Sequence, residues 1–515
     1  MNRAALRIGP WAVAAYLVLA PTSPAAAALP AEGTPPRFAI QLAEDVAEGP
    51  VSARVVLYLS PDLDGEPRLG HRWTSRHPIL GQFVEKLAPG ELRPLRSLVG
   101  YPHAPSALPV GRYAVQAVLH THIDEPHSGK APGNAISRPI TITVGPGESL
   151  PVRLVLDRRV PDRGPARETD RIKTIELRSH LLSDFHGRDV FLKAVVILPG
   201  EYARAPKRRY GSLYLIPGFG GDEREATGYA SMFARNGAPF VRVALDGTCP
   251  LGHHVFADSD NNGPFGRALV EEMIPHLEKR FRLIAEPEAR LLTGHSSGGW
   301  SGLWLQINYP DAFGGVWATA PDSVDFHDFC GIDLYDDDAN FLFDDDGAPR
   351  PIMRRGGEVK LFLPDFVRME EVIGPGGQIG SFEAVFGPRG DDGAPAQLFD
   401  RTTGKIDAAV VRHWRRYDIV DRLARDWSRL GPKLDGKITV LMGAEDDFYL
   451  DGAVRRMMRA MQDLGADARI EIVPNCDHST LFRTTPFREI IGEIGDRLGA
   501  LPVASPPTSQ EMKRP

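Results

Sequence analysis

The chain has 515 residues, of which 42% are hydrophobic and 25% are charged, and its formal net charge is −7. This length exceeds what one hydrophobic core usually organises, so we expect at least two domains. The charge pattern includes no basic stripe that would bind nucleic acid and no long acidic block that would form a disordered tail. The composition therefore predicts a globular protein with no nucleic-acid partner.

The first 28 residues have the organisation of an export signal. Arg3 and Arg7 give a positively charged start, and the apolar stretch at 11–20 is too short to span a bilayer. Three alanines precede Leu29 and suit cleavage by a signal peptidase. No later stretch is long and apolar enough for a membrane helix. We expect an exported protein, periplasmic or secreted, without a membrane span after cleavage; an uncleaved anchor is the alternative.

Residues 36–160 have the composition of a β domain. Apolar, strand-like runs are separated by Pro, Gly and Asp. They lie at 51–60, 112–118, 140–144 and 152–156. Only residues 79–95 have helical periodicity, and we predict a helix there. The region is predicted to form a small antiparallel β-sandwich, followed by a polar linker at 161–167.

From residue 168 to about 500, predicted strands alternate with predicted helices. The strands are expected at 172–182, 190–198, 212–216, 240–245, 289–292, 315–319, 438–442 and 470–473. The helices are expected at 265–281, 298–306, 451–464 and 486–498. The first two strands resemble a hairpin and the others resemble strand–helix units. This pattern predicts an α/β-hydrolase fold, with a mostly parallel sheet covered by helices.

One long segment, 325–417, interrupts the alternation between the sixth and seventh strands. A structureless loop of this length is unusual in a compact domain, so we predict a lid or cap over the active site. Its acidic triplets at 336–338 and 344–346 offer oxygen ligands for calcium, but they lack EF-hand spacing and solvated turns are the favoured interpretation. Residues 501–515 are rich in Pro and Ser and are predicted to be a disordered tail.

The run from Gly294 to Gly298 fits the G-x-S-x-G pattern of a nucleophile elbow. It follows an apolar strand and precedes a predicted helix, and its glycines leave room for a tight turn. Such a turn exposes the Ser296 hydroxyl and directs the Ser297 N–H, at a helix N-terminus, towards a developing oxyanion. We predict that Ser296 is a nucleophile and Ser297 an oxyanion donor; an ordinary Gly/Ser turn is the alternative.

A serine nucleophile needs a base and an acid, which follow it in the order acid, then histidine, in this fold. His478 ends the turn after the last predicted strand and is the predicted base. Asp446 follows the seventh strand and is the favoured acid, which would orient the imidazole and stabilise the imidazolium. The competing candidates for the acid are Glu445, Asp447 and Asp322.

The second oxyanion donor is expected in the Gly-rich loop after the third strand. We predict the N–H of Phe219, with Gly218 as the second choice and a turn without a catalytic role as the alternative. Pro217 stands where the common version of this loop has histidine.

The remaining metal-binding and redox candidates are weak. Cys249, Cys330 and Cys476 allow at most one disulfide, and their spacing fits no zinc pattern. His253 and His254 are adjacent, so they point in different directions, and we predict a pocket-wall or surface role for them. The predicted chemistry requires no metal and no cofactor.

Four motifs together resemble one known family. They lie at 214–221, 294–299, 443–446 and 477–479. They are similar to the "putative esterase" family, which includes esterase D, feruloyl esterases, enterochelin esterase and mycolyltransferases. The resemblance covers residues 172–325 and 437–498 and implies an α/β-hydrolase with a triad of Ser296, His478 and Asp446. Enterochelin esterase also has a β domain before its catalytic domain, whereas the long insertion and the proline in the oxyanion loop depart from the family pattern.

The sequence therefore predicts an exported serine hydrolase that cleaves a small-molecule or polymer-linked carboxylic ester through an acyl-enzyme on Ser296. The alternatives are an acyltransferase that uses the same acyl-enzyme with an alcohol acceptor, a peptidase, and a non-enzymatic binding protein on a degenerate hydrolase fold. The sequence identifies neither the ester nor the oligomeric state.

Overall fold

A computed structural model describes residues 37–125, 129–145, 151–164, 168–234 and 239–501. The predicted signal peptide at 1–28 and residues 502–515 of the predicted tail lie outside these ranges, as do residues 165–167 of the predicted linker. None of the helices within the described ranges combines the length and apolar character that a bilayer crossing requires.

The N-terminal region forms one nine-stranded sheet. Its strands are β1 (Arg37–Leu42), β2 (Val51–Ser60), β3 (Ile79–Leu87), β4 (Leu92–Pro94), β5 (Val99–Tyr101), β6 (Gly111–His120), β7 (Ala135–Ser137), β8 (Ile140–Val144) and β9 (Pro151–Arg159). The short helix α1 (Pro67–Gly70) follows β2. The strand order is β4-β1-β9-β7-β6-β2-β3-β5, with β8 also paired to β6. All pairs are antiparallel except β1 with β9.

The predicted antiparallel sandwich is not confirmed, because the strands form one continuous sheet that includes a parallel pair. Ile40 on β1 and Leu57 on β2 are far apart in the strand order, yet both belong to one buried cluster with Leu119 on β6. The single sheet therefore curls around its own apolar core.

The helix predicted at 79–95 is wrong, because this segment contains the strands β3 and β4. β3 pairs with β2, and the register shifts by one residue between the pairs Ala53–Val84 and Val51–Leu87. The extra residue forms a bulge, where Lys86 has a φ of 47°. The bulge keeps Leu87 on the same core as Leu80 and Val84. The intervals from Leu80 to Val84 and from Val84 to Leu87 are four and three residues, which is the spacing of apolar residues on one face of a helix.

The second region is built on an eight-stranded sheet. Its strands and the short ladders around it are β10 (Ile172–Arg178), β11 (Phe191–Ile197), β12 (Ser212–Ile216), β13 (Val241–Leu245), β14 (Thr248–Cys249), β15 (Gly252–His253), β16 (Asp258–Ser259), β17 (Gly263–Pro264), β18 (Arg290–His295), β19 (Gly315–Thr319), β20 (Pro351–Arg355), β21 (Glu358–Phe362), β22 (Ile438–Gly443) and β23 (Ala468–Val473). The sheet order is β10-β11-β13-β12-β18-β19-β22-β23. β10 and β11 pair antiparallel, and the strands from β13 to β23 in this order pair in parallel.

Helices cover this sheet and fill the long insertion. They are α2 (His180–His186), α3 (Glu223–Ala230), α4 (Phe265–Ala268), α5 (Ile274–Arg280), α6 (Ser297–Asn308), α7 (Leu363–Ile373), α8 (Gln378–Phe386), α9 (Ala408–Trp414), α10 (Ile419–Leu434), α11 (Asp451–Asp463) and α12 (Thr485–Gly499). The insertion at 325–417 thus holds the β20–β21 hairpin and the helices α7 to α9. Val56, Ile79 and Tyr101 of the N-terminal sheet share one buried cluster with Phe366 on α7. The two regions therefore pack against each other through the insertion.

Candidate active site

Ser296 lies at the turn between β18 and α6, at the carboxyl edge of the central sheet. Its φ of 57° and ψ of −127° are a backbone conformation that L-residues rarely adopt. A Cβ at Gly294 would overlap the carbonyl of Gly298, and a Cβ at Gly298 would overlap the carbonyl of Ile216. Glycine is required at both positions because the turn brings the backbones of strand, helix and neighbouring loop into contact.

His478 and Asp446 are in direct contact. Nδ1 of His478 lies 2.7 Å from Oδ2 of Asp446, and the two residues are 7% and 0% exposed. They follow the neighbouring parallel strands β22 and β23, whose carboxyl ends meet at the same edge of the sheet. The N–H of Phe448 donates to Oδ1 of Asp446 at 2.9 Å and fixes the carboxylate. A neutral ring that donates from Nδ1 leaves Nε2 as a proton acceptor.

The charge around His478 sets its protonation. Burial lowers the pKa of His478, but the charge and the hydrogen bond of Asp446, together with the charge of Asp322, outweigh burial. The net effect raises the pKa above its ordinary value of 6.5. The ring is therefore a stronger base than an isolated histidine.

The Ser296 hydroxyl donates to a different carboxylate in this structure. Its acceptor is Oδ1 of Asp322 at 3.4 Å, and across the described ranges no hydrogen bond joins Ser296 to His478. The ring of His295, the residue before Ser296, lies 4.5 Å from the ring of His478. The structure thus joins Asp446 to His478 and joins Ser296 to Asp322.

Asp322, one of the competing acids, is tied to the serines rather than to the histidine. It follows β19, is 5% exposed, and accepts a hydrogen bond from Ser297 Oγ at 2.5 Å. Burial raises the pKa of Asp322 to about 6, although the hydrogen bond from Ser297 opposes this change. Of the other two candidates, Glu445 is exposed and Asp447 pairs with Arg355 at 3.9 Å. Asp446 alone of the four bonds the histidine.

The loop after β12 lies against the serine. A Cβ at Gly218 would be 3.5 Å from Cβ of Ser296. Within the described part of the chain, the N–H groups of Phe219 and Ser297 donate to no protein acceptor. Ser297 is the first residue of α6, where the helix dipole favours negative charge. Both N–H groups are thus available to a ligand oxygen, although the geometry does not choose between Phe219 and Gly218.

A cavity of about 140 Å³ adjoins Ser296 and Asp322. Its walls are mostly apolar and come from both regions of the chain and from the insertion. They include Trp73, Phe219, Ile352, Phe366, Phe382 and Phe448. Of these wall residues, only Phe219 is marked as a site residue by the sequence, because no local pattern identifies a residue whose neighbours lie far away in the chain.

The prediction for the adjacent histidines is wrong. His253 and His254 are 0% and 2% exposed and line neither the surface nor the cavity beside Ser296. His254 stacks on Phe265 with 3.7 Å between ring centroids, and burial lowers the pKa of His253 to about 3. Both rings are core residues, and the apolar residues that flank them in the chain are the only sequence signal for this.

The cysteines and acidic triplets form no metal site in the described ranges. Cys249, Cys330 and Cys476 are all free thiols, and Cys330 lines the cavity. Asp336 and Asp344 each accept hydrogen bonds from backbone N–H groups two residues later, which makes the triplets turns.

Comparison with known proteins gives one family match and several similar folds. Residues 190–339 match the model of the family described as "Putative esterase". A comparison with curated proteins found no match.

Three of the solved structures that match this chain are described as an esterase or a hydrolase. A ferulic acid esterase is 14% identical, with a TM-score of 0.40, over 63% of this chain and 98% of that one. An S-formylglutathione hydrolase from Agrobacterium tumefaciens is 15% identical, with a TM-score of 0.40, over 65% and 99%. The fluorophosphonate-binding serine hydrolase FphF from Staphylococcus aureus is 12% identical, with a TM-score of 0.38, over 64% and 99%. The match to this esterase family over residues 190–339 supports the assignment of the chain as a carboxylic ester hydrolase of the α/β-hydrolase type.

Proposed function

We propose that this enzyme hydrolyses its ester through an acyl-enzyme on Ser296. His478 takes the hydroxyl proton while Oγ attacks the carbonyl carbon, and it then gives that proton to the leaving alcohol. A water molecule, deprotonated by the same ring, attacks the acyl-enzyme and releases the acid. The observation that carries the proposal is the 2.7 Å contact between His478 and Asp446, together with the φ of 57° that Ser296 adopts in a nucleophile-elbow sequence.

The reaction requires the Ser296 hydroxyl to turn from Asp322 towards His478. The bond that it gives up is long, at 3.4 Å, and therefore weak. Rotation about the Cα–Cβ bond redirects the hydroxyl without moving the backbone. Hydrogen bonds of this kind often form fully only when substrate is bound.

The free N–H groups of Phe219 and Ser297 are the proposed oxyanion donors. Negative charge develops on the carbonyl oxygen during attack, and fixed donors in a site that excludes water stabilise it. The apolar walls of the cavity supply that exclusion. We propose that the insertion at 325–417 acts as a lid, since it provides Ile352, Phe366 and Phe382.

Labelling with a fluorophosphonate tests the nucleophile. The wild-type enzyme is expected to bind one probe and lose hydrolysis of aryl esters, and Ser296→Ala to lose both labelling and activity. Ser301→Ala is the matched control, because Ser301 lies on the same helix and donates only to the carbonyl of Ser297. Labelling that persists in Ser296→Ala would contradict the proposal. Glycerol added to the assay separates hydrolysis, which yields free acid, from transfer, which yields a new ester.

We also propose that the enzyme is exported. The support is the charged start at Arg3 and Arg7 followed by the short apolar stretch at 11–20. N-terminal sequencing of the protein from the exported fraction is expected to begin at Leu29, and an intact N-terminus would contradict this cleavage.

A further inference from the structure

Among the described residues of the N-terminal β region, Trp73 alone lines the cavity beside Ser296. It lies in the segment between α1 and β3, far from the catalytic residues in the chain. Its ring centroid lies 6.0 Å from that of Phe219, 5.1 Å from that of Phe366 and 5.9 Å from that of Phe448. These three rings belong to the oxyanion loop, the insertion and the loop of the catalytic acid. A single indole therefore packs against three of the segments that line the cavity beside Ser296.

Trp73 and Phe219 also line a second, more open cavity of about 300 Å³. The other walls of this second cavity include Arg68, Arg72 and Lys130 but also Met369 and Ile373, so it is more polar than the first and still offers apolar surface. The two rings form the partition between the cavities. Removal of the indole would join them into one space.

Hydrogen bonds between the N-terminal region and α7 fix the position of the partition. Arg54 of β2 donates from Nε to the carbonyl of Val372 at 3.0 Å, and Arg368 of α7 donates from Nε to the carbonyl of Gly100 at 3.1 Å. α7 carries Phe366, the ring that meets Trp73 edge to face. The N-terminal sheet and the insertion therefore position the two halves of this contact together.

The volume of the first cavity limits what it can hold. An apolar cavity of about 150 Å³ in an engineered protein binds one benzene molecule, and the cavity beside Ser296 measures about 140 Å³. The acyl group stays bonded to Ser296 after the alcohol departs, so the enclosed cavity at the serine suits the acyl group. A short acyl chain or one six-membered ring fits, whereas a long linear chain does not.

We propose that Trp73 is a specificity-determining residue that closes the acyl pocket and restricts the enzyme to esters of short or single-ring apolar acids. The proposal rests on the proposed function of Ser296. It assigns the N-terminal β region a part of the substrate site.

The test is an acyl series of 4-nitrophenyl esters from acetate through butyrate and octanoate to dodecanoate. The wild type is expected to favour butyrate over octanoate in kcat/KM by about a hundredfold. Trp73→Ala is expected to shift this ratio about a hundredfold towards octanoate, because the added methylenes can then be buried in the joined cavity. Trp73→Phe keeps an aromatic ring and is expected to give an intermediate ratio. This variant also tests the proposal if Trp73→Ala does not fold.

Phe83→Ala is the matched control, since Phe83 is an aromatic residue of the same region that is 53% exposed and lines neither cavity. It should keep the wild-type ratio. An unchanged ratio of butyrate to octanoate in folded Trp73 variants would overturn the inference. It would also be overturned if the variants changed only the preference among acetate esters of different alcohols, because Trp73 would then contact the alcohol rather than the acyl group. Activity that survives in Ser296→Ala would instead overturn the proposed function, so the two failures are distinguishable.

Discussion

The two buried carboxylates of the site differ in what they bond. Asp446 contacts the ring of His478, whereas Asp322 accepts hydrogen bonds from Ser296 and Ser297. Only the first of these arrangements fixes the tautomer of the histidine and stabilises its protonated form. The second holds the hydroxyl groups of Ser296 and Ser297.

This difference predicts unequal effects of neutralising each carboxylate. Asp446→Asn is expected to lower kcat by about 10³–10⁴-fold, because an amide no longer stabilises the imidazolium. Asp322→Asn is expected to lower kcat by less than about tenfold, because the amide oxygen still accepts the hydrogen bond of Ser297. Steady-state kinetics on one aryl ester measures both. Equal losses of kcat in the two variants would contradict the assignment of Asp446 as the acid of the site.

The pH dependence follows from the charges around His478. Burial opposes protonation of the ring, but the charges of Asp446 and Asp322 outweigh it and raise the pKa of His478 above 6.5. The base acts only when neutral, so kcat/KM is expected to fall as the pH drops through a value above 6.5. Asp322→Asn removes one of the charges that favour protonation and should move this limb to lower pH. A pH–rate profile with the same limb in both enzymes would show that the charge of Asp322 does not act on the base.

At the scale of elements, the two regions approach each other closely at Gly81 on β3. A Cβ there would overlap the carbonyl of Val372 at the end of α7. Gly81→Ala must separate strand and helix and is expected to destabilise the protein by about 1–3 kcal/mol. Gly49→Ala is the control, because a Cβ at Gly49 meets no atom within 4 Å. Urea unfolding measures the difference, and similar midpoints for the two variants would contradict the contact.

Some elements could be predicted because their signals are local. β12 and β19 have the bounds that the sequence predicts, since each is a short run that is buried along its whole length between Gly and Pro boundaries. β3 is wrongly predicted to be a helix because its bulge gives the buried residues of a strand the spacing of a helix. The helices of the insertion are not among the predicted elements, although the buried residues Leu363, Phe366 and Val367 of α7 have the three- and four-residue spacing of a helix.

The same distinction applies to the site. The predicted elbow, acid and histidine are marked by glycines and by positions directly after strands, and the structure brings Asp446 and His478 together. The hydrogen bonds of Asp322 to the serines and the aromatic cluster around Trp73 depend on segments that meet only in the folded chain. No spacing in the sequence encodes such contacts.

At the scale of the whole molecule, the N-terminal region packs against segments that line the candidate active site. Val56 and Ile79 share a buried cluster with Phe366, and that ring contacts Trp73 at the cavity. The interface is apolar, which favours a fixed arrangement of the two regions over free movement. The oxyanion loop, the acid loop and the insertion thus meet on a surface that the N-terminal region completes.

The most direct test of the account is a crystal structure of the enzyme after reaction with a fluorophosphonate. The account predicts a covalent bond from phosphorus to Oγ of Ser296, with the phosphonyl oxygen within about 3 Å of the N–H groups of Phe219 and Ser297. Nε2 of His478 should then face the bonded oxygen of the serine. Phosphorus bonded to another residue, or a His478 ring that cannot reach Ser296 in the adduct, would contradict the account.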